Sequence, residues 1–237
     1  MTERYYHAEH RDAYARIRSN GLDQWNDLHD RRRSYHDFPS RPFLTRSLPA
    51  RGDGQRALVY GCGTGGAACY LAEAGFVVDA VDLVPDAIEI ARARADEHGL
   101  DIRFEVADVC RWGAARDRFD VVLDDFCLQS IVTDEDRKRL YAAVRDRLQP
   151  SGRFLINTAM YQPGRNYGDD RYDPATGIVW VTAPEQGPDT ISIDGLPYQP
   201  NRRHFDAAGL RRELTENGFR VRQQRGGHGG ELVCSLA

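Results

Sequence analysis

The stretch "ALVYGCGTGGAACYLAEAG", Ala57 to Gly75, constrains the fold more than any other. A short apolar run is followed by a burst of glycines and then by an amphipathic stretch that ends in glycine. Physically this is a strand, a tight turn and a helix whose N-terminus opens onto the turn. Glycines let the backbone turn sharply and leave its N–H groups uncovered, so the turn is built to hold a ligand. The spacing Gly61-x-Gly63-x-x-Gly66 fits a dinucleotide fingerprint, and Gly61-x-Gly63-x-Gly65 fits a second kind of nucleotide loop. The turn alone does not choose between them.

The chain repeats the unit. Strand "RALVY" leads to a helix over Thr64–Ala74, and "FVVDAVD" to a helix over Pro85–His98. Pro85 suits a first helical turn and Gly99 the position after a helix end. Strand "DIRFEVAD" follows, then a link over Val109–Arg118 that is short for a full helix, then strand "FDVVLDD". A helix over Asp134–Leu148, with Asp134 as N-cap, turns through "QPSG" into "GRFLINTAM". Strands alternating with helices at this spacing predict a parallel sheet covered on both faces. After a helix over Asp206–Asn217, "GFRVRQQ" and "ELVCSLA" are joined only by "RGGHGG", too short for a crossover, so they should pair antiparallel.

Two regions lie outside this alternation. Residues 1–50 are polar and aromatic. Tyr6, Tyr14, Ile17 and Leu22, Trp25, Leu28 predict two helices broken at Asn20–Gly21, followed by the Pro-rich link "DFPSRPFLTRSLPARGDG". Residues 162–203 are rich in Gly, Pro, Asp and Tyr, with the β-prone islands "GIVWVT" and "DTISID". Insertions of this length usually serve function or are disordered, and the islands favour a folded excursion. The division is an N-terminal helical cap or lid (1–50) and a core (51–237) carrying a substrate-side insertion (162–203).

Composition narrows the function. Of 237 residues 41% are hydrophobic and 29% charged, and the net charge is −4. No apolar run approaches the ~20 residues of a membrane helix, the first residues lack an apolar leader, and no basic excess announces a nucleic acid. The five cysteines form no CxxC pair, which suits reduced thiols in the cytoplasm. No histidine spacing suggests a metal. The expectation is a cytoplasmic protein, monomer or homodimer, that binds neither membrane nor nucleic acid.

Three features bear on the ligand. Asp82 closes the second strand 21 residues after Gly61, placed to grip ribose hydroxyls. Asp108 closes the third strand, where an adenine amino group can be read. The sheet ends in an antiparallel pair, not in a second mononucleotide half. The segments "VYGCGTG", "VDAVDLVPDAIEIAR", "RFEVADV" and "FDVVLDDFCLQSI" resemble four successive motifs of the class I S-adenosylmethionine-dependent methyltransferases. The resemblance implies an α/β, Rossmann-like, seven-stranded sheet, mostly parallel, with its C-terminal pair reversed. It implies S-adenosylmethionine as cofactor. Tyr60, Gly61, Cys62 and Gly63 would then line its methionine end, Tyr60 standing where the family's first strand often ends in an acid. Asp82 would take the ribose, with Leu83 beside the adenine. Asp108 would take the adenine amino group, with Val109 supplying backbone. Asp124 would lie next to the transferring methyl.

The expected reaction moves that methyl to an oxygen or nitrogen of a small molecule, by in-line displacement, on an amino-acid-like or natural-product substrate. The protein chiefly aligns the reactants in a dry site. A base is needed only for a protonated nucleophile, and Asp124, Asp125 and His204 are the candidates. Asp124 and Asp125 are strand neighbours, so at most one faces the site unless the strand has already ended. Tyr5, Tyr6, Trp25, Gln129 and Tyr161 are the candidate substrate contacts. The competing readings are a non-catalytic cofactor-binding regulator or scaffold and a dehydrogenase.

Overall fold

A computed structural model describes residues 4–29, 35–115, 117–187 and 189–237. Among these residues, seven strands form one sheet: β1 (Arg56–Tyr60), β2 (Val77–Asp82), β3 (Ile102–Val106), β4 (Phe119–Asp125), β5 (Leu148–Asn157), β10 (Phe219–Arg225) and β11 (Glu231–Leu236). Their order is β10-β11-β5-β4-β1-β2-β3. The β3-β2-β1-β4-β5 pairings are parallel. Strand β11 runs antiparallel to both β5 and β10. The short "RGGHGG" link thus forces the reversed pair, as expected. From β1 the chain builds outward through β2 and β3, then returns to place β4 on the other side of β1. That reversal opens a crevice at the carboxyl ends of β1 and β4, where ligands bind in such sheets.

Both faces of the sheet are covered. In β1, Ala57 and Val59 pack with α3 (Gly66–Glu73) and α4 (Pro85–Glu97), through Ala67, Leu71, Ile88 and Ala91. The alternate residues Leu58 and Tyr60 pack with α5 (Asp134–Arg147) and α6 (Ala207–Glu216), through Leu140, Val144, Leu210 and Leu214. This period of two on a doubly covered strand explains why "ALVY" is apolar throughout. Among the described residues of the link over 109–118, the one helical element is a 3-10 turn, Val109–Arg111. The α5 cap is Thr133, not Asp134: its side chain accepts from the Asp136 N–H. Asp206 caps α6 by accepting from the Gly209 N–H at 2.6 Å.

The N-terminal region departs from expectation in two ways. Helix α1 (His7–Ser19) ends at Asn20–Gly21, with Gly21 at φ +57°, but a 3-10 turn over Trp25–His29 replaces the second helix. The Pro-rich link contains a helix, α2 (Arg41–Ser47), because Pro42 falls in its first turn, where proline is tolerated. Helix α1 lies on α4, with Tyr14 and Ile17 against Val84 and Ala87. The excursion forms a second, antiparallel sheet in the order β6-β7-β9-β8, from Arg171–Tyr172, Ile178–Thr182, Leu196–Arg203 and Ile191–Ile193. No helix among the described residues is long and apolar enough to cross a membrane.

Candidate functional site

The glycine turn sits at the switch point. Gly61 and Gly63 adopt φ +59° and +54°, a region that L side chains enter at a cost. Close packing adds to this: a Cβ on Gly61 would lie 2.4 Å from Cys127 Cβ, and one on Gly63 would lie 2.7 Å from the Tyr14 hydroxyl. The turn is a bare backbone cradle, walled by β4's continuation on one side and by α1 on the other.

Two carboxylates stand at the ends of adjacent strands. At the end of β2, Asp82 Oδ2 accepts from the Gly63 N–H at 2.8 Å and Oδ1 from the Val84 N–H at 2.9 Å. Burial raises its pKa, and these N–H groups work against that rise. Beyond β3, Asp108 Oδ1 accepts from the Cys110 N–H at 2.9 Å and Oδ2 from the Tyr6 hydroxyl at 3.0 Å. A carboxylate has about four lone-pair positions, so both acids can take a ligand hydroxyl or amino group besides these partners.

The two acids at the end of β4 behave differently, as strand alternation requires. Asp124 is fully buried. Its Oδ1 accepts from the Leu128 N–H at 2.8 Å, while Oδ2 lies beside Tyr60 without a hydrogen bond. Burial, with the charge of Asp125 adding to it, pushes its pKa up to about 8. Asp125 points to the crevice. Burial raises its pKa to about 6, and the nearby Ser40 hydroxyl moderates the rise, though Asp125 Oδ1 and Ser40 Oγ form no hydrogen bond of ordinary geometry.

The glycine turn, Asp82, Asp108 and Asp125 meet in one cavity of about 330 Å3. Of the residues named for the cofactor, Gly61, Cys62, Gly63, Asp82, Leu83, Asp108 and Val109 line it; Tyr60 and Asp124 do not. Tyr60 turns to the opposite face of the sheet and packs on Phe154 and Trp112, with ring centroids 6.2 and 6.4 Å away. Of the candidate bases, Asp125 lines the cavity. His204 stands apart and buried, its Nδ1 3.4 Å from the Tyr167 hydroxyl, and burial lowers its pKa to about 4. Among the substrate candidates, Tyr6, Trp25 and Gln129 line the cavity. The Tyr5 hydroxyl instead accepts from the Val132 N–H at 2.7 Å, and Tyr161 is stacked on Tyr172.

Among the lining residues that the sequence reading did not assign to the site are His10, Tyr14 and Arg202. The first two could have been found. Tyr6, His10 and Tyr14 recur at intervals of four, so they share one helix face. That face follows the crevice: Tyr6 bonds Asp108, the charge of Asp82 acts on His10, and Tyr14 covers Gly63. His10 Nδ1 lies 2.7 Å from the Tyr6 carbonyl oxygen, which can only accept, so that nitrogen carries the proton. Burial and the Arg202 charge lower the His10 pKa. Arg202 comes from β9 and makes a bidentate pair with Glu9 of α1, at 2.7 Å on both oxygens. Among the described residues no group of three or more His, Cys, Asp or Glu could hold a metal.

The residues present fit an adenosyl cofactor with an amino-acid tail. A glycine cradle admits its backbone, and acids with spare acceptor capacity stand where ribose and adenine would lie. Comparison with known proteins agrees. Residues 57–152 match a family described as "Methyltransferase domain". Over 108 residues the chain is 36% identical to the 2-heptyl-1-hydroxyquinolin-4(1H)-one methyltransferase of Mycobacteroides abscessus, covering 45% of this chain and 41% of that one. Over 219 residues it is 23% identical to the ubiquinone biosynthesis O-methyltransferase of Xanthomonas axonopodis, covering 83% and 87%. The chain spans from 22% to less than half of the length of curated relatives more than 30% identical to it. In fold it is similar to the crystal structure of an S-adenosylmethionine-dependent methyltransferase from Clostridium acetobutylicum, with a TM-score of 0.64 at 16% identity, covering 94% and 99% of the two chains. Residues 57–152 match a methyltransferase domain, and the chain as a whole has the fold of the S-adenosylmethionine-dependent methyltransferases.

Proposed function

We propose that the chain transfers a methyl group from S-adenosylmethionine to an oxygen or nitrogen of a small molecule in the cytoplasm. The observation that carries this reading is the convergence of the Gly61–Gly63 turn, Asp82 and Asp108 on one cavity roofed by α1. The cofactor supplies a methyl already activated on a sulfonium. The protein's work is to hold, align and dry the reactants. Asp82 would take the ribose hydroxyls while it fixes Gly63, and Asp108, with the Val109 backbone, would take the adenine. Tyr6, His10 and Tyr14 would close over the cofactor along its length.

The substrate would enter where Gln129 and Arg202 line the wall. Gln129 Oε1 is held by the Ala159 N–H at 2.7 Å, so its amide NH2 is the group offered to a ligand. Arg202 is the part of the second sheet that reaches the cavity. The excursion 162–203 therefore contributes to substrate choice, and residues 1–50 form the lid. Asp124 and His204 do not face the cavity and are not assigned as bases.

The test is methyl transfer from S-adenosylmethionine to a panel of phenols, amines, amino acids and carboxylates, followed as S-adenosylhomocysteine formed. Turnover on at least one acceptor class is expected. S-adenosylhomocysteine binding with no turnover on any class would favour a non-catalytic binder.

A further inference from the structure

His10 lines the cavity midway along the α1 stripe, between Tyr6, which bonds Asp108, and Tyr14, which covers Gly63. With adenine at Asp108 and the methionine tail at the glycine turn, His10 would stand over the middle of the cofactor, where ribose meets sulfur. Its ring is held in one orientation. Nδ1 donates to the Tyr6 carbonyl oxygen at 2.7 Å, back along the helix, so Nε2 keeps its lone pair and points away from the helix. The Trp25 ring lies against the imidazole, with centroids 5.4 Å apart. Among the described residues Nε2 has no hydrogen-bond partner, and it is not sealed from the cavity. The charged groups facing the ring are Arg202 from β9, Glu9 on its own helix and Asp82 from β2. Burial first, and the Arg202 charge second, keep it neutral.

The wall around His10 limits what can meet it. Gln129 offers its NH2, and Arg202 brings a positive charge. Donors and a cation suit an oxygen and disfavour an ammonium. A bare, weakly basic imidazole nitrogen takes a proton more readily from a phenol, with a pKa of about 10, than from an alcohol. We infer that His10 is the base of the reaction and that the substrate is a phenol-type hydroxyl compound. This rests on the methyl-transfer reading above and narrows its acceptor to oxygen. His10 Nε2 takes the hydroxyl proton as the substrate oxygen bonds the methyl carbon. The carbon–sulfur bond breaks, and its electron pair stays on sulfur. The imidazolium then gives the proton to solvent. Asp125 also lines the cavity, with the Ser40 hydroxyl beside it, and is the competing candidate.

The experiment follows methyl transfer by the full chain to a series of phenols of rising acidity, from 4-methoxyphenol to 4-nitrophenol. His10→Asn keeps a donor for the Tyr6 carbonyl and removes the bare nitrogen. Near neutral pH it should lower turnover of 4-methoxyphenol about 10²–10⁴-fold, the usual share of a general base. Turnover of 4-nitrophenol, already largely ionised, should fall less than about tenfold. Asp125→Asn should keep the unsubstituted dependence on phenol acidity. Equal loss across the series in His10→Asn, no loss, or the acidity dependence appearing in Asp125→Asn instead would overturn the assignment. Turnover on amines or carboxylates and on no phenol would also overturn it and leave the methyl-transfer reading intact. No turnover on any class would remove both. A second readout needs no turnover. In 15N NMR of the S-adenosylhomocysteine complex, the His10 Nε2 signal should be that of a bare nitrogen and should shift when 4-methoxyphenol binds. A protonated Nε2 in the free complex, or a signal indifferent to the phenol, would refute the assignment whether or not His10→Asn folds.

Discussion

Asp82 is a clamp as well as a ligand group. Because its two oxygens hold the N–H groups of Gly63 and Val84, Asp82→Ala should do two things. It should weaken S-adenosylhomocysteine about ten- to a hundredfold. It should also destabilise the protein by about 1–3 kcal/mol, by leaving buried donors unmet. A melt measured beside the titration separates the two effects, and unchanged affinity would show that Asp82 is misassigned. Asp124 makes the opposite prediction. Its folded pKa, near 8, lies above the unfolded value of about 3.9. Between those values the native state binds more protons than the unfolded one, so its contribution to stability is present at low pH and lost as pH rises toward 8. Asp124→Asn keeps an acceptor for the Leu128 N–H and removes the titration. Its melting temperature should exceed that of the unsubstituted protein at pH 8 and match it near pH 4. A difference that does not change with pH would contradict this account.

The lid is an element-scale claim. Helix α1 is tied down by polar contacts: Tyr6 to Asp108, Tyr5 to the Val132 and Thr133 N–H groups, and Glu9 to Arg202. Burial would raise the Glu9 pKa, but the Arg202 guanidinium holds it below the usual range. Its apolar contact, Tyr14 and Ile17 on Val84 and Ala87, is a small cluster apart from the two main cores, so the helix should open at less cost than the sheet. Amide exchange over Tyr5–Trp25 should be fast in the free protein and slow with S-adenosylhomocysteine bound. Glu9→Gln should speed the exchange of α1 and weaken the ligand a few-fold. Equal protection with and without ligand would make α1 a fixed part of the core. Here the sequence was only partly legible. The stripe at Tyr6 and Tyr14 was visible, but His10 looked like one more charged-helix residue until α1 was placed on α4, beside the crevice that holds Asp82. Helix α2 was hidden because prolines read as a link, although Pro42 sits where a helix begins. The choice between Asp124 and Asp125 depended on where β4 ends, which a strand pattern does not reveal.

At the scale of the whole molecule, the alternating core was legible because doubly covered strands and capped helices leave strong local patterns. The second sheet was legible only as two β-prone islands, since its pairing joins residues far apart in sequence. That sheet touches the cavity through Arg202. Replacing 162–203 with a short loop should therefore leave a folded protein that still binds S-adenosylhomocysteine and has lost turnover; retained turnover on the same acceptor would refute a role in substrate choice. Everything above depends on what the Gly61–Gly63 turn holds. The most direct measurement is calorimetry of the full chain against S-adenosylhomocysteine and against NAD, under one buffer. The account predicts saturable one-site binding of S-adenosylhomocysteine and none of NAD. Binding of NAD without S-adenosylhomocysteine would contradict it.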